Sequence, residues 1–122
     1  MGSVKSPTDS ERIAPRHVFE RWIWIYRGAG GKQSGLRAWT RDLSETGLAA
    51  FSAQTLMPGE SVLLEIDLSI GKTIKIPALV ARTLGTEYGF QFTALSSEQR
   101  DAIRLSLQQA PAVSDPKDRQ NQ

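Results

Sequence analysis

Asp42-Leu43-Ser44-Glu45-Thr46-Gly47 is a polar corner between two apolar stretches, and the fold of this chain is read outward from it. Acid, hydroxyl and glycine are the residue types that make tight turns, each for its own reason. Leu36 to Arg41 leads into the corner and Leu48 to Ser52 leads out, so the two read as antiparallel strands. Upstream lies a Pro-containing arm, Glu11-Arg12-Ile13-Ala14-Pro15-Arg16. Two guanidinium groups on such an arm, facing a carboxylate and a hydroxyl, suit an anionic ligand rich in purine edges. Taken alone the corner also reads as a local turn, in which Asp42 and Ser44 bond nearby backbone and Gly47 takes a positive φ.

Residues 17–27 read as the first strand. Phe19, Ile23 and Ile25 share one face by period two, and Val18, Trp22, Trp24 and Tyr26 share the other. Apolar bulk on both faces predicts at least partial cover on both. The glycine-rich run 28–35 reads as a hairpin connection, since its spacing does not match a phosphate-binding loop. Met57-Pro58-Gly59-Glu60 has Pro and Gly in the order of a type II turn. Val62 to Leu68 is a fourth strand, Gly71 marks a hairpin, and Thr73 to Leu84 is a long fifth strand. Pro77 within it predicts an edge or a bulge. Gly85 to Gly89 turns again, and Gly89 to Thr93 is a sixth strand. Ser96 with Gln99 forms a capping box opening a helix that Pro111 stops, with Ala102, Ile103, Ser106, Leu107 and Ala110 on its small-to-apolar stripe. Six short strands and one terminal helix predict an all-β domain, a small antiparallel barrel or sandwich capped by the helix. Residues 1–10 and 109–122 read as disordered tails around a domain at 11–108.

The 122 residues hold one core and leave no room for a separate catalytic domain. No cysteine is present, which excludes disulfides and thiolate metal sites. One histidine, His17, leaves little for nucleophilic catalysis, and no acidic cluster is spaced for a metal. No enzymatic activity, cofactor or metal is therefore expected. No apolar run is long enough to span a bilayer, so membrane insertion is not expected and a cytoplasmic location is. The net charge of +2 is too mild for a general nucleic-acid binder, and ten of the fifteen cations are arginine, which favours shaped recognition of planar anions.

Arg12 and Arg16 as Arg-x-x-x-Arg before the first strand, then 25 residues, then Asp-x-Ser-x-x-Gly at the second strand junction, resemble the PilZ domain family. Pro15, Leu43, the Pro58-Gly59 turn, Gly89-Phe90-Gln91-Phe92 and Leu95-Ser96 with Arg100 extend the likeness over about residues 11 to 108. The resemblance implies a six-stranded antiparallel barrel that binds the bacterial second messenger cyclic di-GMP. It makes Arg12 and Arg16 the clamp, and Asp42, Ser44 and Gly47 the barrel half of the site. The chemistry agrees: arginine forks onto guanine O6 and N7 or onto phosphate, a carboxylate accepts from guanine N–H groups, and a hydroxyl serves either. Glu11 and Ile13 flank Arg12 where many family members carry another cation, which favours one ligand per chain. The expected mechanism is ligand-driven ordering of the arm, which alters the surface shown to a downstream protein. Trp22, Trp24 and Tyr26 read either as a row covered by the helix or arm, or as a homodimer or partner surface. The rival readings are an interaction adaptor of the same fold that binds no nucleotide, and a small-barrel RNA binder.

Overall fold

The computed structural model of the chain describes residues 14–28, 35–68 and 71–109. Among these residues seven strands precede one helix: β1 (His17–Val18), β2 (Trp22–Arg27), β3 (Gly35–Leu43), β4 (Gly47–Phe51), β5 (Ser61–Leu68), β6 (Lys72–Leu84), β7 (Glu87–Phe92) and α1 (Ser97–Gln108). All pairings are antiparallel, in the order β3-β2-β5-β6-β7-β4, and β4 returns to β3. The result is a closed six-stranded barrel, so those six strands leave no open sheet edge.

The expected first strand is broken in two. β1 pairs with the end of β3 (Val18 opposite Asp42) and β2 with its start (Trp22 opposite Trp39), with one more residue on the β1–β2 side than on β3. That excess is a bulge at Phe19–Arg21. The buried Thr40 hydroxyl holds it, accepting from the Arg21 N–H at 3.0 Å and donating to the Phe19 carbonyl. The inward set is as the alternation predicts: Phe19, Ile23 and Ile25 are buried. Cover on the other face is partial: Tyr26 is half-buried, while Trp22 remains 53% exposed and Trp24 38%. The helix packs instead against β5, and its Ala102, Ile103 and Leu107 join the core.

Local signals are met closely. Gly59 has φ +87° and the Glu60 N–H donates to the Met57 carbonyl at 3.0 Å, as a type II turn requires. Ser96 and Gln99 form the reciprocal capping box. Pro77 sits at neither a free edge nor a bulge. Its carbonyl accepts from Thr93 beyond the end of β7, so its missing N–H faces the margin that β7 has already left. The bulge of β6 lies further on, between Val80 and Arg82. The last turn is shorter than expected, because Glu87 and Tyr88 already belong to β7.

Candidate functional site

Two bulges build the site. Along β3, Ala38 and Thr40 point into the barrel and are fully buried. Strict alternation would send Asp42 inward as well. The register shifts by one residue between Thr40 and Asp42, so Asp42 pairs with Ala49 and Leu43 with Leu48. Leu43 and Leu48 are core residues, which turns Asp42 and Ala49 to the outside. Along β6, Ile74, Ile76, Ala78 and Val80 fill the core, and the shift after Val80 turns Arg82 outward, opposite Gly89.

Asp42, Ala49, Gly89 and Arg82 are thus direct neighbours in one transverse row across β3, β4, β7 and β6. The two central residues are small, so the row is a trough with a carboxylate on one wall and a guanidinium on the other. Three inter-strand steps separate the walls, roughly 14 Å. A Cβ on Gly89 would meet the Arg82 side chain at 3.2 Å, so glycine there is the bed on which the arginine lies. The groove over this row has a volume of about 680 Å³ and is also lined by Ala14, Pro15, Arg16, Ser44 and Thr46.

Arg16 and Arg41 both approach the Asp42 Oδ2 at 3.8 Å, too far for hydrogen bonds. Arg41 spends its Nη1 on Glu87 at 2.6 Å. The Asp42 Oδ2 is buried and finds no hydrogen-bond partner among the described residues. Burial pushes the Asp42 carboxyl above its usual value, Arg16 and Arg41 pull it back, Glu87 adds to the rise and Arg82 opposes it. An orphaned carboxylate oxygen beside cations that have not closed on it is poised to accept a donor from a ligand.

Ser44 is placed differently from the sequence expectation. Its Oγ accepts from the Thr46 and Gly47 N–H groups at 3.1 and 3.2 Å and lies 3.2 Å from the Thr46 hydroxyl. The Ser44 N–H donates to the Gly47 carbonyl at 2.8 Å. Ser44 therefore knots the corner, and half of the local-turn reading holds: the hydroxyl bonds backbone, while the Asp42 carboxylate bonds none among the described residues. Gly47 does not adopt the positive φ that the turn reading gave it. A Cβ there would stand 2.0 Å from the Phe90 carbonyl, so glycine is required for β4 to approach β7. Arg12 lies outside the described residues.

The structure therefore brings Arg16, Asp42, Ser44 and Gly47 to one groove. Sequence reasoning passed over Arg82 and the screening of Arg41 by Glu87. A signal for Arg82 was present: a lone cation in phase with four apolar inward residues is a strand that must bulge. The corner is also tied to the helix, through Glu45 and Arg104 at 3.2 Å.

A family model for the PilZ domain matches residues 11–109. No curated protein matches the chain. Among solved structures, the PilZ domain of YcgR from Escherichia coli, determined with c-di-GMP, is 18% identical with a TM-score of 0.62, covering 80% of this chain and 91% of that one. The PilZ domain of CeSA from a cellulose-synthesizing bacterium is 20% identical with a TM-score of 0.59, over 75% of this chain and 93% of that one. MotI (DgrA), the inhibitor of motility of Bacillus subtilis, is 18% identical with a TM-score of 0.68; this chain's 79% spans 48% of it. These likenesses show a shared fold, and with the family model spanning every described residue, the chain belongs to the PilZ domain family.

Proposed function

We propose that this chain is a bacterial, cytoplasmic, non-enzymatic receptor domain for cyclic di-GMP, bound in the groove over Asp42, Ala49, Gly89 and Arg82. The observation that carries the reading is the buried Asp42 Oδ2, unpartnered among the described residues and facing the groove beside Arg16. In this reading Asp42 accepts from the guanine N1–H and N2–H edge. Arg16 and Arg82, from opposite walls, take phosphate oxygens or the O6/N7 edge. Ser44 and Gly47 hold the corner's shape, and Arg12 completes the clamp with Arg16. The family membership and the ligand of the YcgR neighbour support this assignment. The signal then passes through ordering of residues 11–16 over the groove, changing the surface offered to a downstream protein. Deuterium exchange over residues 10–18 should slow when ligand is added, and unchanged exchange would count against this route.

The deciding experiment is isothermal titration of cyclic di-GMP into the wild type, Arg16→Ala and Arg82→Ala. One ligand per chain is expected. Each substitution removes charge-assisted hydrogen bonds and should weaken binding about 10- to 100-fold. A wild type that folds and shows no heat of binding would instead support the adaptor reading. Arg82→Ala binding at full strength would remove the far wall from the site.

A further inference from the structure

The outer face of β2 carries a pattern that fits a second copy of itself. Trp24 pairs directly with Arg37 of β3 on one side and Glu65 of β5 on the other. All three lie on the outer face, so the barrel presents a row of cation, aromatic and anion. Trp22 and Tyr26 stand above and below Trp24 on the same strand. The Arg37 guanidinium lies 5.0 Å from the Trp22 ring and 4.8 Å from the Trp24 ring. Stacking of this kind holds the charge in place without neutralising it. Among the described residues Arg37 has no acidic partner within ion-pair distance, while Glu65 accepts only the Tyr26 hydroxyl at 3.1 Å and keeps its second oxygen. Trp39 adds to the patch, 5.2 Å from Trp22 edge-on and 38% exposed.

We propose that this face forms an isologous homodimer about a two-fold axis running along β2. Rotation about that axis exchanges the two flanks of the strand. Arg37 of one protomer then meets Glu65 of the other, and the reverse pair forms at the same time. Trp22, Trp24 and Tyr26 lie on the axis and pack against their own copies. A two-fold axis across the strands would set Arg37 against Arg37, so the charges select the axis. The composition is that of an interface core, aromatic residues with one arginine and few other charges. The groove lies elsewhere on the barrel, over β3, β4, β6 and β7, and stays open in this dimer.

The proposal is tested by sedimentation equilibrium on the whole chain with charge-reversed variants. The wild type should approach twice the 13.4 kDa of one chain as concentration rises. Arg37→Glu alone and Glu65→Arg alone each place two like-charge pairs in a homodimer, and each should remain monomeric. Mixed in equal amounts they should associate, because the heterodimer restores both opposite-charge pairs. Trp24→Ala, which keeps both charged residues but removes the central ring and one side of the Arg37 stack, should also weaken association at least tenfold, and it serves if a reversal variant fails to fold. Arg16→Ala should dimerise as the wild type does. A wild type that is monomeric throughout, reversal variants that dimerise normally, or a mixture that stays monomeric would each overturn the proposal; the first would leave the face to an unlike partner.

Discussion

Asp42 is the residue on which stability and the proposed binding pull in opposite directions. Its carboxyl is 1% exposed, and burial raises its proton affinity more than Arg16 and Arg41 lower it. The folded state therefore holds this proton more tightly than the unfolded chain does. Stability contributed at this site is greatest below the ordinary carboxylate value of 3.8 and falls as pH rises through the elevated one. Glu60 works the other way: its hydrogen bond from Arg27 lowers its pKa, so its contribution is lost as pH falls. The comparison of Asp42→Asn with the wild type isolates the first effect. Urea midpoints between about pH 3 and pH 7 should show the variant gaining on the wild type as pH rises, while losing cyclic di-GMP binding. A constant difference across that range would show that Asp42 titrates alike in both states. The motif in the sequence marked Asp42 as a candidate site residue. It could not show that one carboxylate oxygen is buried with no hydrogen-bond partner among the described residues, since that follows from neighbours on other strands.

At the level of elements, three one-residue register shifts decide where side chains go. They lie at Phe19–Arg21 against β3, at Arg41 against β4 and at Ala81 against β7. The first is held by Thr40, whose hydroxyl serves two backbone groups on the opposing strand and is completely buried. Thr40→Val keeps the shape and leaves those groups unpaired. It should cost about 1–3 kcal/mol in denaturant unfolding with an unchanged m-value. A loss well under that would mean the break is held by strand pairing alone. The elements themselves were legible from composition: Pro58-Gly59, Gly71 and Gly85 are turns with positive φ at each glycine, and the capping box starts the helix one residue after Ser96. Strand ends were less so. β3 runs through Leu43 because its last residues find partners on β1 and β4, which local propensity does not report.

The barrel as a whole is a closed ring, and closure removes the freedom to relax. In an open sheet a strand pair pushed apart can splay. Here β4 is fixed by β3 on one side and β7 on the other. Gly47 sits on that seam, with the Phe90 carbonyl where a Cβ would be. Gly47→Ala should therefore destabilise the whole domain by at least about 1–3 kcal/mol, seen as a lowered Tm and not only as weaker ligand binding. A variant with wild-type Tm would show that the seam can open locally.

The residues by themselves determined the turns, the helix and its cap, and which apolar side chains face inward, because those depend on local backbone preference and on a period of two or 3.6. They also determined that an acidic corner and an arginine arm share one domain. Only the tertiary structure decided that Asp42 and Arg82 leave the core and face each other over Ala49 and Gly89. Both are in phase with buried neighbours, and a strand cannot choose its own register: the one-residue slip that turns a charge outward is fixed by hydrogen bonds to the strand beside it.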